Sequence, residues 1–207
     1  MTETETPFAG SEIVLASASR TRRAMLEAAG VKFHVEPARI DEDEIKLSMT
    51  AEGGTAADIA EALAEHKARA VARKFPGVLV LGADQVLDHD GGIMSKPVDR
   101  AAALEQLRTL RGGDHSLVSC ACIVLNGERI WHDLDVAHLR MRDFSDAFAA
   151  AYLDAVGDIA LEGPGAYRIE GLGAQLFARV TGSHFTVLGL PLLPLLDYLR
   201  VRGVLMT

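Results

Sequence analysis

The sequence predicts an α/β fold on a mixed sheet. Short β-branched apolar runs alternate with helical patterns in the first half of the chain, which asks for parallel strands. Later, Asn126-Gly127 separates two long strand-like stretches, a hairpin signal that asks for antiparallel ones. Hydrophobic residues make up 49 % of 207, enough apolar surface for a sizeable core.

The first run, 12–16, reads as a short buried strand, and 22–29 as a helix stopped by Gly30, where a left-handed residue is wanted. Residues 31–36 alternate and read as a strand, and 40–44 as an acidic loop. The strongest helical pattern runs from Thr55 to Phe75, with Thr55 as cap, Asp58 three residues on, and Pro76-Gly77 as stop. A strand over 78–86 leads into a turn at 88–92, and 93–95 returns. A helix follows over 99–110, then Gly112-Gly113, then the hairpin strands 115–125 and 128–141. Residues 145–156 read as a helix capped by Ser145. The segment 163–173 is glycine-rich, 174–180 a strand and 192–200 a closing helix.

Composition narrows the function. There are 21 basic and 29 acidic residues, a net charge of −8, so the chain is a poor generic binder of nucleic acid polymers or anionic membranes. A local basic pocket for a small anion remains open. The two cysteines, Cys120 and Cys122, fall two apart in an apolar run and read as small hydrophobes on one strand face, in keeping with a reducing cytoplasm. Residues 1–11 are polar and acidic, a flexible tail rather than a signal peptide, before one domain over 12–207. No apolar run approaches a membrane span.

Five features carry chemistry. In Leu15-Ala16-Ser17-Ala18-Ser19-Arg20-Thr21-Arg22-Arg23 a strand ends, two hydroxyls follow and a helix begins. Free backbone N–H groups, the helix dipole and three arginines make that junction a phosphate-binding candidate. Lys67 interrupts the apolar row Ile59, Leu63, Val71, so it snorkels to solvent or reaches an anion in a cleft. Asp84 follows a buried strand in Gly82-Ala83-Asp84-Gln85, where it either caps a turn or serves as metal ligand or base. Asp41-Glu42-Asp43-Glu44 is either a solvated loop or a source of oxygen ligands for a hard cation. Pro97 holds Lys96 extended. The glycine-rich 163–173 lacks the lysine and serine of a P-loop, but Tyr167 and Glu170 can line a base pocket. There is no Ser-His-Asp order and no nucleophile elbow.

These stretches, together with Ile40-Asp41-Glu42, His66-Lys67-Ala68, Ser95-Lys96-Pro97, Gly165-Ala166-Tyr167, Glu170-Gly171-Leu172-Gly173 and Gly189-Leu190-Pro191, resemble the Maf family of nucleoside triphosphate pyrophosphatases from about Ile13 to Leu199. The resemblance implies a mixed, bent sheet with flanking helices and a cleft between two lobes, of the Maf/ITPase-like kind. It implies hydrolysis of a nucleoside triphosphate between the α and β phosphates, with a divalent cation, Mg²⁺ or Mn²⁺. Carried over by motif, Asp84 is the general base; Arg22, Lys67 and Lys96, with Ser17 and Ser19, hold the phosphates; Glu42 and Asp84 bind the metal. Gln85 and Glu170 resemble the branch acting on 7-methyl-GTP, while Thr21 stands where that branch carries an aromatic residue. The alternatives are a dTTP/UTP or broad-specificity pyrophosphatase and a non-catalytic nucleotide-binding regulator of septum formation. A homodimer is implied by analogy.

Overall fold

The computed structural model describes residues 12–207, so the tail expected over 1–11 lies outside the described residues. In chain order the elements are β1 (Ile13–Leu15), α1 (Arg20–Ala28), β2 (Phe33–Val35), α2 (Glu42–Ala51), α3 (Ala56–Ala72), β3 (Val80–His89), β4 (Gly92–Met94) and α4 (Arg100–Leu110). Then come β5 (Asp114–Leu125), β6 (Glu128–Met141), α5 (Asp146–Val156), 3₁₀ turns at Gly157–Leu161, Pro164–Ala166 and Gly171–Leu176, β7 (Phe177–Thr181), α6 (His184–Val187) and α7 (Leu192–Val201). The sheet order is β2-β1-β3-β5-β6-β7, with β4 paired to β3. β2, β1 and β3 run parallel and the remaining pairs antiparallel, so the expected mixed sheet is present.

Local chemistry explains the boundaries. Ser19 caps α1, and the helix closes on Gly30 at φ 72°, with Gly30 N–H on Glu27 O and Val31 N–H on Leu26 O, a Schellman ending. Thr55 and Asp58 form a full capping box at the head of α3. Asn126 and Gly127 both take positive φ, 52° and 86°, and close the β5–β6 hairpin in two residues.

Two expectations need correction. The acidic run 40–44 is no loop: Asp41 caps α2 and Glu42, Asp43 and Glu44 form its first turn, where carboxylates meet the positive end of the dipole. No residue of α2 is fully buried, so it lacks the apolar stripe by which a helix is recognised. The last strand begins three residues later than expected, because 171–176 coils into a 3₁₀ turn.

The core is organised by the alternation of side chains along the strands. One sheet face packs Val80, Cys120 and Cys122 against Ile59, Leu63 and Ala68 of α3. The opposite face packs Leu81 and Ile123 against Leu26 of α1 and Leu195 and Leu199 of α7. Further along the same strands, Leu87, Leu117 and Leu139 join α4 and α5 in a third cluster, the second lobe. β3 and β5 run through both lobes, and Asp84 and Gln85 lie between the two clusters. Among the described residues no helix is long and apolar enough to cross a membrane.

Candidate functional site

At the exit of β1 the chain turns through Ser17, Ala18 and Ser19 into α1. Ser17 Oγ accepts from Ser19 N–H at 3.3 Å, and Ser19 Oγ accepts from Arg22 N–H at 3.3 Å. Arg22 is only 8 % exposed. Its Nε donates to Gly189 O at 2.7 Å and its Nη1 to Ser17 Oγ at 3.2 Å. Burial lowers its pKa, and the charges of Asp84 and Glu42 work against that shift. Of the three arginines, Arg23 turns aside to pair with Glu27 at 2.9 Å, and Arg20 is exposed, 3.8 Å from Glu162. A buried guanidinium fixed by two acceptors, at a helix start that repels cations, is a preorganised anion clamp.

The opposite wall is built by Gly82. A Cβ there would lie 2.1 Å from Ala64 O and 2.8 Å from the Ala68 Cβ, so only glycine lets α3 lie directly on β3. One turn of contact brings Lys67, in the buried row of Ile59, Leu63 and Val71, onto Asp84. Lys67 Nζ stands 2.6 Å from Asp84 Oδ1 and 2.9 Å from Glu42 Oε1. Lys67 and Asp84 are 7 % and 5 % exposed. Thus Lys67 does not snorkel to solvent, and Asp84 caps no turn. Partial burial works to raise the Glu42 pKa, but the charge and hydrogen bond of Lys67, with Lys46 and Lys96 beyond, hold it below its ordinary value.

Between these walls lies a cleft of about 450 Å³. Ser17, Ser19, Arg22 and Lys67 line it, with Asp84 and Glu42. Lys96 reaches it from the loop after β4, whose Pro97 is buried while the lysine stays exposed. Gln85, Thr21 and Glu170 line it as well. The residues carried over by motif are therefore brought to one cleft, whereas Arg23, Asp41, Asp43 and Glu44 do not line it. Gln85 Nε2 donates to Thr186 O at 2.8 Å and Val187 O at 3.1 Å, which leaves its carbonyl for other partners. Thr21 Oγ1 accepts from Arg168 Nη2 at 2.7 Å.

Sequence reasoning missed four contributors. Arg168, Lys46, Ser119 and the Gly189 carbonyl all touch the cleft or its lining residues. Lys46 carried a signal, sitting one helical turn after Glu42, but the run was not read as helix. Beside the cleft, Tyr167 is backed by His115, whose Nε2 lies 2.7 Å from the tyrosine hydroxyl.

Among the described residues no three His, Cys, Asp or Glu side chains gather as a metal cluster. Glu42 and Asp84 nevertheless both approach one atom, Lys67 Nζ, within 2.9 Å. Two hard carboxylates at the edge of a phosphate-sized cleft suit Mg²⁺, which ordinarily takes one or two protein carboxylates and fills its shell with phosphate and water. The residues present fit such a cation.

The chain matches the family described as Maf-like protein over residues 12–202. It is 49 % identical over 192 residues to a protein of Paramagnetospirillum magneticum named nucleoside triphosphate pyrophosphatase, covering 93 % of this chain and 99 % of that one. It is 48 % identical over 191 residues to a protein of the same name from Roseobacter denitrificans, covering 92 % and 96 %. A third of that name, from Ruegeria sp., is 45 % identical over 195 residues, covering 94 % and 98 %.

Proposed function

This chain belongs to the Maf-like protein family, and from that premise we propose that it hydrolyses nucleoside triphosphates between the α and β phosphates and favours 7-methyl-GTP-like bases. The observation that carries the reading is the meeting of a buried carboxylate, Asp84, with Arg22, Lys67 and Lys96 in one cleft. Relatives at 45–49 % identity named nucleoside triphosphate pyrophosphatase support it.

The chain's own groups suffice to describe the step. Asp84 takes the proton of a water as that water's oxygen bonds to the scissile phosphorus; the bond to the bridging oxygen breaks, and pyrophosphate leaves with the electron pair. Lys67, 2.6 Å away, holds and orients the Asp84 carboxylate. Arg22, pinned by Gly189 O and Ser17 Oγ, and Lys96 at the rim take up the charge that moves onto the phosphate oxygens. Glu42 and Asp84 would hold a divalent cation, which when bound neutralises the triphosphate and polarises the phosphorus. Glu170 supplies a carboxylate opposite a cationic, N-methylated guanine, and the Gln85 carbonyl an acceptor for its N–H donors. The same reading includes one domain over 12–207, a cytoplasmic setting and a homodimer.

The test is pyrophosphate release from a panel of nucleoside triphosphates with Mg²⁺ and Mn²⁺. Turnover of 7-methyl-GTP above the others is expected. Strong turnover of dTTP with none of 7-methyl-GTP overturns the base preference, and binding of every triphosphate without turnover overturns the enzyme.

A further inference from the structure

Gln85, Ser119 and Asp135 stand opposite one another in the sheet. Gln85 of β3 pairs with Ser119 of β5, and Ser119 pairs with Asp135 of β6. Residues in direct register share a sheet face, so the three side chains form one row. The one-turn helix α6 meets every member of that row through Thr186, which is fully buried. Thr186 Oγ1 donates to Asp135 Oδ2. Ser119 Oγ donates to Thr186 O at 2.8 Å and accepts from Gln85 Nε2 at 3.1 Å. Gln85 Nε2 also donates to Thr186 O at 2.8 Å and to Val187 O at 3.1 Å.

These contacts decide which way the Gln85 amide faces. A backbone carbonyl only accepts, so the group turned toward Thr186 O and Val187 O is the NH₂. A flipped amide would set Oε1 against two carbonyl oxygens. Both amide hydrogens are therefore spent inside the protein. Gln85 Oε1 accepts from no group among the described residues, where the one buried side-chain polar atom without a partner is His115 Nδ1. The oxygen is thus left accessible at the cleft that Gln85 lines. Helix α6 has four residues and no side-chain cap of its own, and the bonds to Asp135 and Ser119 tie it to the sheet.

We propose that Ser119, Thr186 and Asp135 are positioning residues that lock the Gln85 amide with only its carbonyl offered to the base, so that the cleft favours lactam bases over amino bases. The proposal rests on the pyrophosphatase reading of the cleft and deepens it. A lactam base, such as guanine or uracil, presents a ring N–H that a carbonyl accepts. Adenine and cytosine present a bare ring nitrogen instead, whose lone pair faces that of the carbonyl. A free glutamine reads adenine through both halves of its amide. Gln85 does not, because its N–H groups are held by α6 and Ser119.

The experiment measures kcat/KM, by pyrophosphate release with Mg²⁺, for 7-methyl-GTP and GTP against ATP and for UTP against CTP. The full chain is compared with Thr186→Val, Thr186→Ser and Ser119→Ala. The unaltered chain is expected to favour the lactam members of the sets it turns over by about tenfold or more. Thr186→Val keeps the shape and loses the hydroxyl; it lowers that ratio at least about fivefold by raising the amino-base value, and Thr186→Ser keeps the ratio. Ser119→Ala lowers it at least about threefold in the same way, and stands in if Thr186→Val does not fold. Loss of packing alone would lower both members together, so a ratio that stays the same in the folded variants overturns the proposal. So does an unaltered chain that turns over ATP or CTP as fast as the lactam substrates, and in both cases the pyrophosphatase reading stands. Absence of pyrophosphate from every triphosphate overturns that reading and the proposal with it.

Discussion

Asp84 and Lys67 form a buried ion pair. Replacing Asp84 by Asn keeps the shape and removes the proton acceptor, so kcat should fall about 10²–10⁴-fold while triphosphate binding, followed by calorimetry, stays measurable. Replacing Lys67 by Ala leaves Asp84 buried and unpaired; a loss of about 3–5 kcal/mol in denaturant unfolding is expected alongside lost activity. His115 gives a pH effect. Burial, with the nearby charge of His89 and against the pull of Asp114, lowers its pKa from 6.5 to about 4. Below pH 6.5 the unfolded chain binds a proton that the folded chain refuses, so stability should decline as pH falls toward 4, by up to about 3 kcal/mol. A His115→Gln chain should show a flatter acid limb in melts across that window. At this scale the sequence was informative where a residue's own neighbours in the chain constrain it. Lys67 stands out in an apolar row, and Asp84 ends one. Arg168 carried no such mark, because its partner Thr21 lies 147 positions away.

Among elements, the contact of α3 with β3 sets the site. Gly82→Ala should push α3 outward, separate Lys67 from Asp84 and cost about 1–3 kcal/mol or more, because the obstructing atom is the backbone oxygen of Ala64. Thermal melts and turnover should fall together in that variant. The capping box of α3 and the Asn126-Gly127 turn were legible because each is written in two or three adjacent residues. Helix α2 was not: it buries none of its residues fully, and its acidic first turn resembles a solvated loop. In the 3₁₀ turns of 157–176 the chain folds back tightly on itself, as at Gly173, where a Cβ would meet Arg168 O at 1.7 Å, a close approach that no helical or strand repeat announces.

At the scale of the molecule, the net charge of −8 says little about the cleft, where Arg22, Lys46, Lys67 and Lys96 gather. Mixed charge elsewhere is spent in ion pairs, such as Arg69 with Glu65 at 2.6 Å and Arg140 with Asp114 at 2.6 Å. The two thiols illustrate the seal of the core. Cys120 and Cys122 are fully buried between sheet and α3, and burial pushes both up to about 12. Neither should react with an aromatic disulfide at neutral pH in the folded chain, and both should react once it is denatured. The Arg22–Gly189 hydrogen bond spans 167 positions. During synthesis, α1 and the serines leave the ribosome well before the carbonyl that aims their arginine. A nascent chain can thus display most of its phosphate-binding motifs before the contact that aims Arg22 exists, because that contact is made 167 positions later.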